Sequence, residues 1–249
     1  MTPARHQKTP VVEAASVLDP DPASGQASAS APPPAALSAG AQAILDVAKQ
    51  LFADKGFDAV SINDIAQQTQ MCKANVFHHF GSKEALYFAV LKAACDDTIG
   101  GQIAALSGGA ESTVDGLWRF FSSHLEAMLR NPGSVRLIMR EIVEGAGDRK
   151  QALAEQVLAD HFARLVSRVS EGQDEGPLRR DFDPALLAFL MLAANIFFFE
   201  NRSIAAYIAE DGFARAPADY SHEVFDLLLR GALATPTAGP ATPWRGEER

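Results

Sequence analysis

The sequence predicts an all-α protein, and three observations carry that reading. Between about residues 39 and 230, apolar side chains recur at intervals of three and four residues. Strand-like alternation is absent over the same stretch. The breaks fall at Gly, Pro and Asn clusters, as helix ends do. The composition allows a real core: 47% of the 249 residues are hydrophobic and 21% are charged. A net charge of −9 excludes a generic nucleic-acid-coating protein. Cys72 and Cys95 are the only cysteines, too few for a disulfide scaffold or a four-cysteine zinc site. That usage fits a reducing cytoplasm, the expected location, and no apolar run after Met1 reads as a signal peptide.

Each element has its own signals. Residues 1 to 38 hold seven of the 14 prolines and few large apolar residues, which predicts a disordered tail. The first helix covers Ala39 to Lys55, with Ile44, Leu45, Ala48, Leu51 and Phe52 on one face and Gly56 as its stop. Ser61 opens a short helix, with Asp64 three residues on as a weak capping box. A break at Thr69 to Met71 leads into another short helix, Cys72 to His78. Ser82 caps a fourth helix of about 25 residues, with Glu84 in its first turn.

Past the Ser107-Gly108-Gly109 break, Val114, Leu117, Trp118, Phe121, Leu125 and Met128 mark an amphipathic helix that Asn131-Pro132-Gly133 stops. Val135, Ile138, Met139 and Ile142 mark the next; Leu153, Val157, Leu158, Phe162, Leu165 and Val169 mark another. A loop is expected over Glu171 to Arg180. Asp183-Pro184 then starts a helix that carries no charge from Pro184 to Phe199. A spanning helix needs roughly 20 apolar residues, so this one reads as a core or interface helix and no membrane partner is expected. A last helix runs from Asp219 to Arg230, and residues 234 to 249 read as a second tail.

Residues 56 to 86 carry the functional signal. Two short helices around a tight turn form a helix-turn-helix, which offers its second helix to the major groove of double-stranded DNA. Val76 and Phe80 are expected to face inward, leaving Lys73, Asn75 and His78 outward. Ala74 is small enough for close approach to a phosphate or a thymine methyl. The segment resembles the TetR family of bacterial transcriptional regulators. The matching residues are Ile44-Leu45, Ala48, Leu51-Phe52, Gly56, Val60-Ser61, Asp64-Ile65-Ala66, Val76 to Phe80 and Ser82 to Leu86, specific as a group over about 50 residues.

That resemblance implies a domain order: a helix-turn-helix DNA-binding domain at 39–86, then a helical ligand-binding and dimerisation domain at 87–233. It also implies a homodimer on a palindromic operator, with no cofactor and an unknown apolar small molecule as effector. Phe77 stands where the family usually has Tyr, whose hydroxyl commonly reaches a phosphate. Thr69-Gln70 replaces the usual small turn residues, and Cys72 replaces the usual Ser or Thr cap. A positive φ at Gln70 would store on the order of 1 kcal/mol.

Charge places the contacts. Residues 39 to 95 contain five Lys and five acids; residues 96 to 249 contain 15 basic and 23 acidic residues. A neutral reading domain must draw affinity from placed contacts rather than a broad field. Lys83, at a helix N-terminus, is the best phosphate ligand, and Ser61 is a second. His78 and His79 point different ways on a helix, which speaks for DNA contact or end packing rather than a metal site. Cys72 beside Lys73 at a helix start leaves a redox switch as the alternative to a small cap residue.

In the second domain, Phe121, Met128, Met139, Phe162 and Met191 read as core that an adaptable ligand pocket can share, with Asn195 as a ligand contact or an interhelical hydrogen bond. By the resemblance, the run Phe197-Phe198-Phe199 is expected in the dimer interface and core, with Phe198, Phe225 and Leu228 on the last two helices at the dimer interface. His124 and Glu126 read as a surface pair, and no enzyme signature is present. The alternative class is a protein-protein adaptor of the same fold without operator specificity.

Overall fold

A computed structural model describes residues 37–106, 112–208, 213 and 216–232. The two tails, Trp244 and the Ser107-Gly108-Gly109 break therefore lie outside the described residues, apart from Leu37 and Ser38. The helices are α1 (Ala39–Lys55), α2 (Ile62–Gln68), α3 (Lys73–Phe80), α4 (Lys83–Cys95), α5 (Gly101–Leu106), α6 (Thr113–Arg130), α7 (Pro132–Glu144), α8 (Gly147–Leu153), α9 (Ala159–Glu175), α10 (Pro184–Ile208) and α11 (Pro217–Ala232). π-helical turns at Asp96–Gly100 and Ala154–Leu158 join α4 to α5 and α8 to α9 without a break. The described residues contain no strand, so the fold is all-α.

Local chemistry accounts for the boundaries. Ser38 caps α1 by accepting from the Ala41 amide at 3.2 Å. Gly56 ends it at φ +81°, a conformation that glycine reaches without a Cβ clash. Ser82 caps α4 by accepting from Ala85 N at 3.0 Å, and Asp183 Oδ1 accepts from Ala185 N at 2.8 Å at the start of α10.

Packing makes one continuous core. Helices α1 to α4 bury Ile44, Phe52, Ile65, Val76 and Leu86, and the same core runs on through Phe120, Phe121, Leu165 and Met191 of α6, α9 and α10. Helix α7 packs against both α1 and α4, so it joins the first domain to the second.

Three expectations need correction. On α7, Val135 is buried and Ile138 and Met139 pack against the core as expected, but Ile142 is exposed and Ser134, Leu137 and Glu141 are buried as well, because the helix meets α1 and α4 in addition to α6. Helix α9 continues to Glu175, through much of the expected loop. Gly172 lies inside it because an added Cβ would come within 2.7 Å of Thr113 and 2.8 Å of Leu178. His124 is buried rather than half of a surface pair: its ring stacks on Phe120 at 5.6 Å, and burial lowers its pKa to about 4.

Helix α10 is, among the described residues, long and apolar enough to cross a membrane. Its contacts are those of a bundle helix. Leu187, Ala188, Met191, Asn195, Phe198 and Phe199 are buried against its neighbours, and Tyr220 of α11 donates to Ala194 O at 2.6 Å.

Candidate nucleic-acid interface

The recognition geometry begins at Ser61. Its hydroxyl accepts from Asp64 N at 3.2 Å, and the Asp64 carboxylate accepts from Ser61 N at 2.8 Å, a reciprocal box that fixes the entry to α2. The Ser61 hydroxyl also donates to Asp64 Oδ2 at 2.7 Å. These bonds hold the Asp64 carboxyl below its ordinary pKa, the Ser61 amide contributing most.

The turn follows from α2's unsatisfied carbonyls. Thr69 Oγ1 donates to Ile65 O at 2.8 Å, and Gln70 adopts φ +57°, the left-handed conformation its position requires. Met71 N then donates to Ala66 O at 2.9 Å, which directs the chain into α3. Cys72 occupies the N-cap of α3 without a side-chain bond, and the thiol is exposed.

Of the expected DNA contacts, Ser61, Lys73, Ala74, Phe77 and His78 are exposed. Lys73 Nζ lies 5.9 Å from the Phe77 ring centroid, so these two form one amphipathic patch on α3. Asn75 is half-buried and its Nδ2 donates to Met71 Sδ at 3.4 Å, less outward than its spacing implied. Val76 is fully buried beneath the helix. Lys83 stands at the first turn of α4, with its ammonium 4.3 Å from the Phe57 ring centroid.

The expected ligand residues fall in more than one packed cluster. Phe121, Met191 and Asn195 are buried in the main core, where Phe162 packs at the edge. Met128 sits in a separate cluster with Val135 and Phe199, and Met139 packs against that cluster. Asn195 makes the interhelical bond: Nδ2 donates to Phe121 O at 2.9 Å and meets His124 Nδ1 at 3.2 Å. Its Oδ1 is buried with no protein partner. A cleft of about 380 Å³ opens elsewhere, between Asp96–Ile103 and Asp160, His161 and Arg164.

Phe198 is 3% exposed and stacks on Tyr220 at 4.0 Å, and Phe225 packs on Trp118 and Phe121 inside the same chain. Leu228 is half-buried. Uncovered apolar side chains on the same helices include Phe189 and Phe197 on α10 and Leu227 on α11, exposed by 59%, 70% and 71%. Periodicity marks which faces of α10 are apolar; it does not mark which of them the protomer itself covers.

Residues 44–90 match the family model for bacterial regulatory proteins of the tetR family, and residues 114–225 match a tetracyclin repressor-like C-terminal domain. The HTH-type transcriptional repressor KstR2 of Rhodococcus jostii is 30% identical over 161 residues, covering 62% of this chain and 78% of that one. The chain belongs to the TetR family. It is therefore a DNA-binding transcriptional regulator and not an enzyme.

Solved TetR-like structures share the fold. The fatty acid degradation regulator FadR from Bacillus halodurans superposes with a TM-score of 0.63 at 15% identity, over 76% of this chain and 98% of that one. The ketosteroid transcriptional regulator KstR2 of Mycobacterium tuberculosis does so with a TM-score of 0.55 at 17% identity, over 80% and 97%.

Sequence reasoning missed one constellation of this TetR chain, the buried contact between α7 and the reading head. Glu141 is 2% exposed; it accepts from Tyr87 Oη at 2.9 Å and from Arg149 Nε at 3.1 Å. Burial, and then the Glu141 bond, raise the Tyr87 pKa well above its ordinary value, so Tyr87 keeps its proton as the donor. A small cleft of about 160 Å³ borders the group, lined by Lys55–Ala59, Arg140 and Arg149 among others. Glu141 lies four residues from Leu137 on the same face, but a charged residue at a core-facing position reads as solvent-facing until its partners are known.

Proposed function

We propose that the chain is a homodimeric repressor that sets two α3 helices about one DNA turn apart on a palindromic operator and is released by an apolar small molecule. The uncovered apolar stripe of α10 and α11 carries this reading. Leu186, Phe189, Leu190 and Phe197 follow one another at helical spacing on α10, and Leu227 is exposed on α11. Such a patch on a folded chain marks an interface. A second copy supplies a matching stripe and gives a C2 dimer. The neutral charge of residues 39–95 adds weight, because two weak heads held at fixed spacing bind far better than one.

The contacts divide by chemistry. Lys83 and the α4 N-terminus meet a phosphate, as does Ser61. Lys73, Asn75, His78 and the small Ala74 address base edges, and Phe77 packs beside them. Repression follows the KstR2 relative, named a transcriptional repressor. The apolar effector class follows the neighbours named for fatty acid degradation and ketosteroid regulation. Phe121, Met128, Met139, Phe162, Met191 and Asn195 would line its site after the helices part. An effector that prefers a dimer with wrongly spaced heads shifts the population off DNA.

Titrating the full chain onto a duplex from upstream of its own gene, followed by sedimentation, tests the reading. Two protomers per duplex and release by added steroid or fatty acyl probes are expected. One protomer per duplex, or no preference over random DNA, would refute it.

A further inference from the structure

One aromatic ring connects the two domains. The Lys83 ammonium lies 4.3 Å from the Phe57 ring centroid, and the Arg149 guanidinium lies 4.6 Å from the same centroid. Phe57 belongs to the link between α1 and α2, Lys83 opens α4, and Arg149 stands on α8 of the second domain. Arg149 is tied in turn to the buried Glu141, which also takes the Tyr87 hydroxyl of α4. The corner between α7 and α8 is folded tightly over that carboxylate: a Cβ on Gly145 would lie 2.2 Å from Glu141 Oε1. Beside it, Arg140 Nη1 donates to Ala53 O at 3.0 Å, satisfying an end carbonyl of α1. The α7–α8 corner thus grips the reading head at the end of α1, at Tyr87 and at Phe57.

We propose that Arg149, Glu141 and Phe57 are positioning residues for DNA binding, holding the Lys83 ammonium at the N-terminal end of α4 where it meets a phosphate. This rests on Lys83 being a phosphate contact. Lysine's long stem has many rotamers, and an ammonium held against a ring has already given up part of that freedom before DNA arrives. Arg149 backs the ring and neutralises Glu141. Without it, the carboxylate is left without its cation and draws a mobile ammonium inward. A displacement of the α7–α8 corner changes the phosphate contact without any group of the second domain touching DNA.

The test is a set of variants of the full chain measured on a random-sequence duplex at several salt concentrations. Lys83→Ala lowers affinity and makes the slope of log affinity against log salt shallower by roughly one per bound protomer. Arg149→Met produces the same two changes, and adding Lys83→Ala to it produces little more. Phe57→Leu removes the ring and deletes no charged group. It is the second route should Arg149→Met unfold the corner, and it shows the same non-additivity. Restoring a neutral pair with Glu141→Gln in the Arg149→Met chain recovers part of the lost affinity. Full additivity of Lys83→Ala with both variants, or a rise in affinity in either, overturns the positioning role alone. If Lys83→Ala by itself leaves affinity and slope unchanged, the phosphate contact itself is refuted, and the positioning role falls with it.

Discussion

Two residues of the reading head are poorer than their positions call for. Cys72 caps α3 without accepting a hydrogen bond, so the first amides of the recognition helix lack a side-chain partner. Cys72→Ser supplies an acceptor within reach of Asn75 N, whose amide now bonds the Cys72 carbonyl at 3.0 Å. A gain of about 0.5–1 kcal/mol is expected, read as a higher denaturant midpoint at constant m-value. The turn position of Gln70 calls for a left-handed backbone, and its φ of +57° carries the strain expected of a non-glycine residue there. These features were legible because they depend on neighbours close in sequence.

His124 behaves differently, because its environment comes from helices far apart in the chain. Burial holds its pKa near 4, so the folded chain keeps it neutral while the unfolded chain binds a proton near its ordinary 6.5. The unfolded state therefore takes up more protons as pH falls, and stability drops between about pH 6.5 and 4 by on the order of 3 kcal/mol. Above that window the group contributes no slope. Protonation would also remove the Nδ1 acceptor that faces Asn195 Nδ2. Urea titrations across this range should show the acid loss flattened in His124→Leu. An unchanged pH profile would show that other groups carry it.

At the scale of elements, the boundaries of α1 to α4 followed from capping residues and glycines, and the apolar periods of α6 and α9 from their cores. The pattern misled where a helix meets more than one neighbour. Helix α7 serves α1 and α4 as well as α6, so its buried face includes a carboxylate that hydropathy assigns to solvent. Helix α10 is apolar on most sides, and sequence alone could not divide the side chains kept by the protomer from those offered outward. Phe198 is kept and Phe197 is offered. Phe197→Glu places a charge on the uncovered stripe without opening the core. Light scattering should report a folded monomer with unchanged helicity. A Phe197→Glu chain that remains dimeric would put the contact elsewhere.

At the scale of the molecule, the acidic second domain and the neutral head have separate tasks. Residues 96 to 249 carry 23 acids against 15 bases, a net negative charge that disfavours DNA there. Binding then depends on a few placed groups of the reading head, and sequence reading by α3 is the proposal on which the rest stands. Its most direct test is the ratio of affinities for upstream and random duplexes in the Lys73→Ala/His78→Ala double variant, compared with the unaltered chain at matched salt. The exposed α3 face predicts a fall in that ratio of at least tenfold, at ~1–3 kcal/mol per lost base contact, with folding and dimerisation intact. A ratio unchanged from that of the unaltered chain would contradict it.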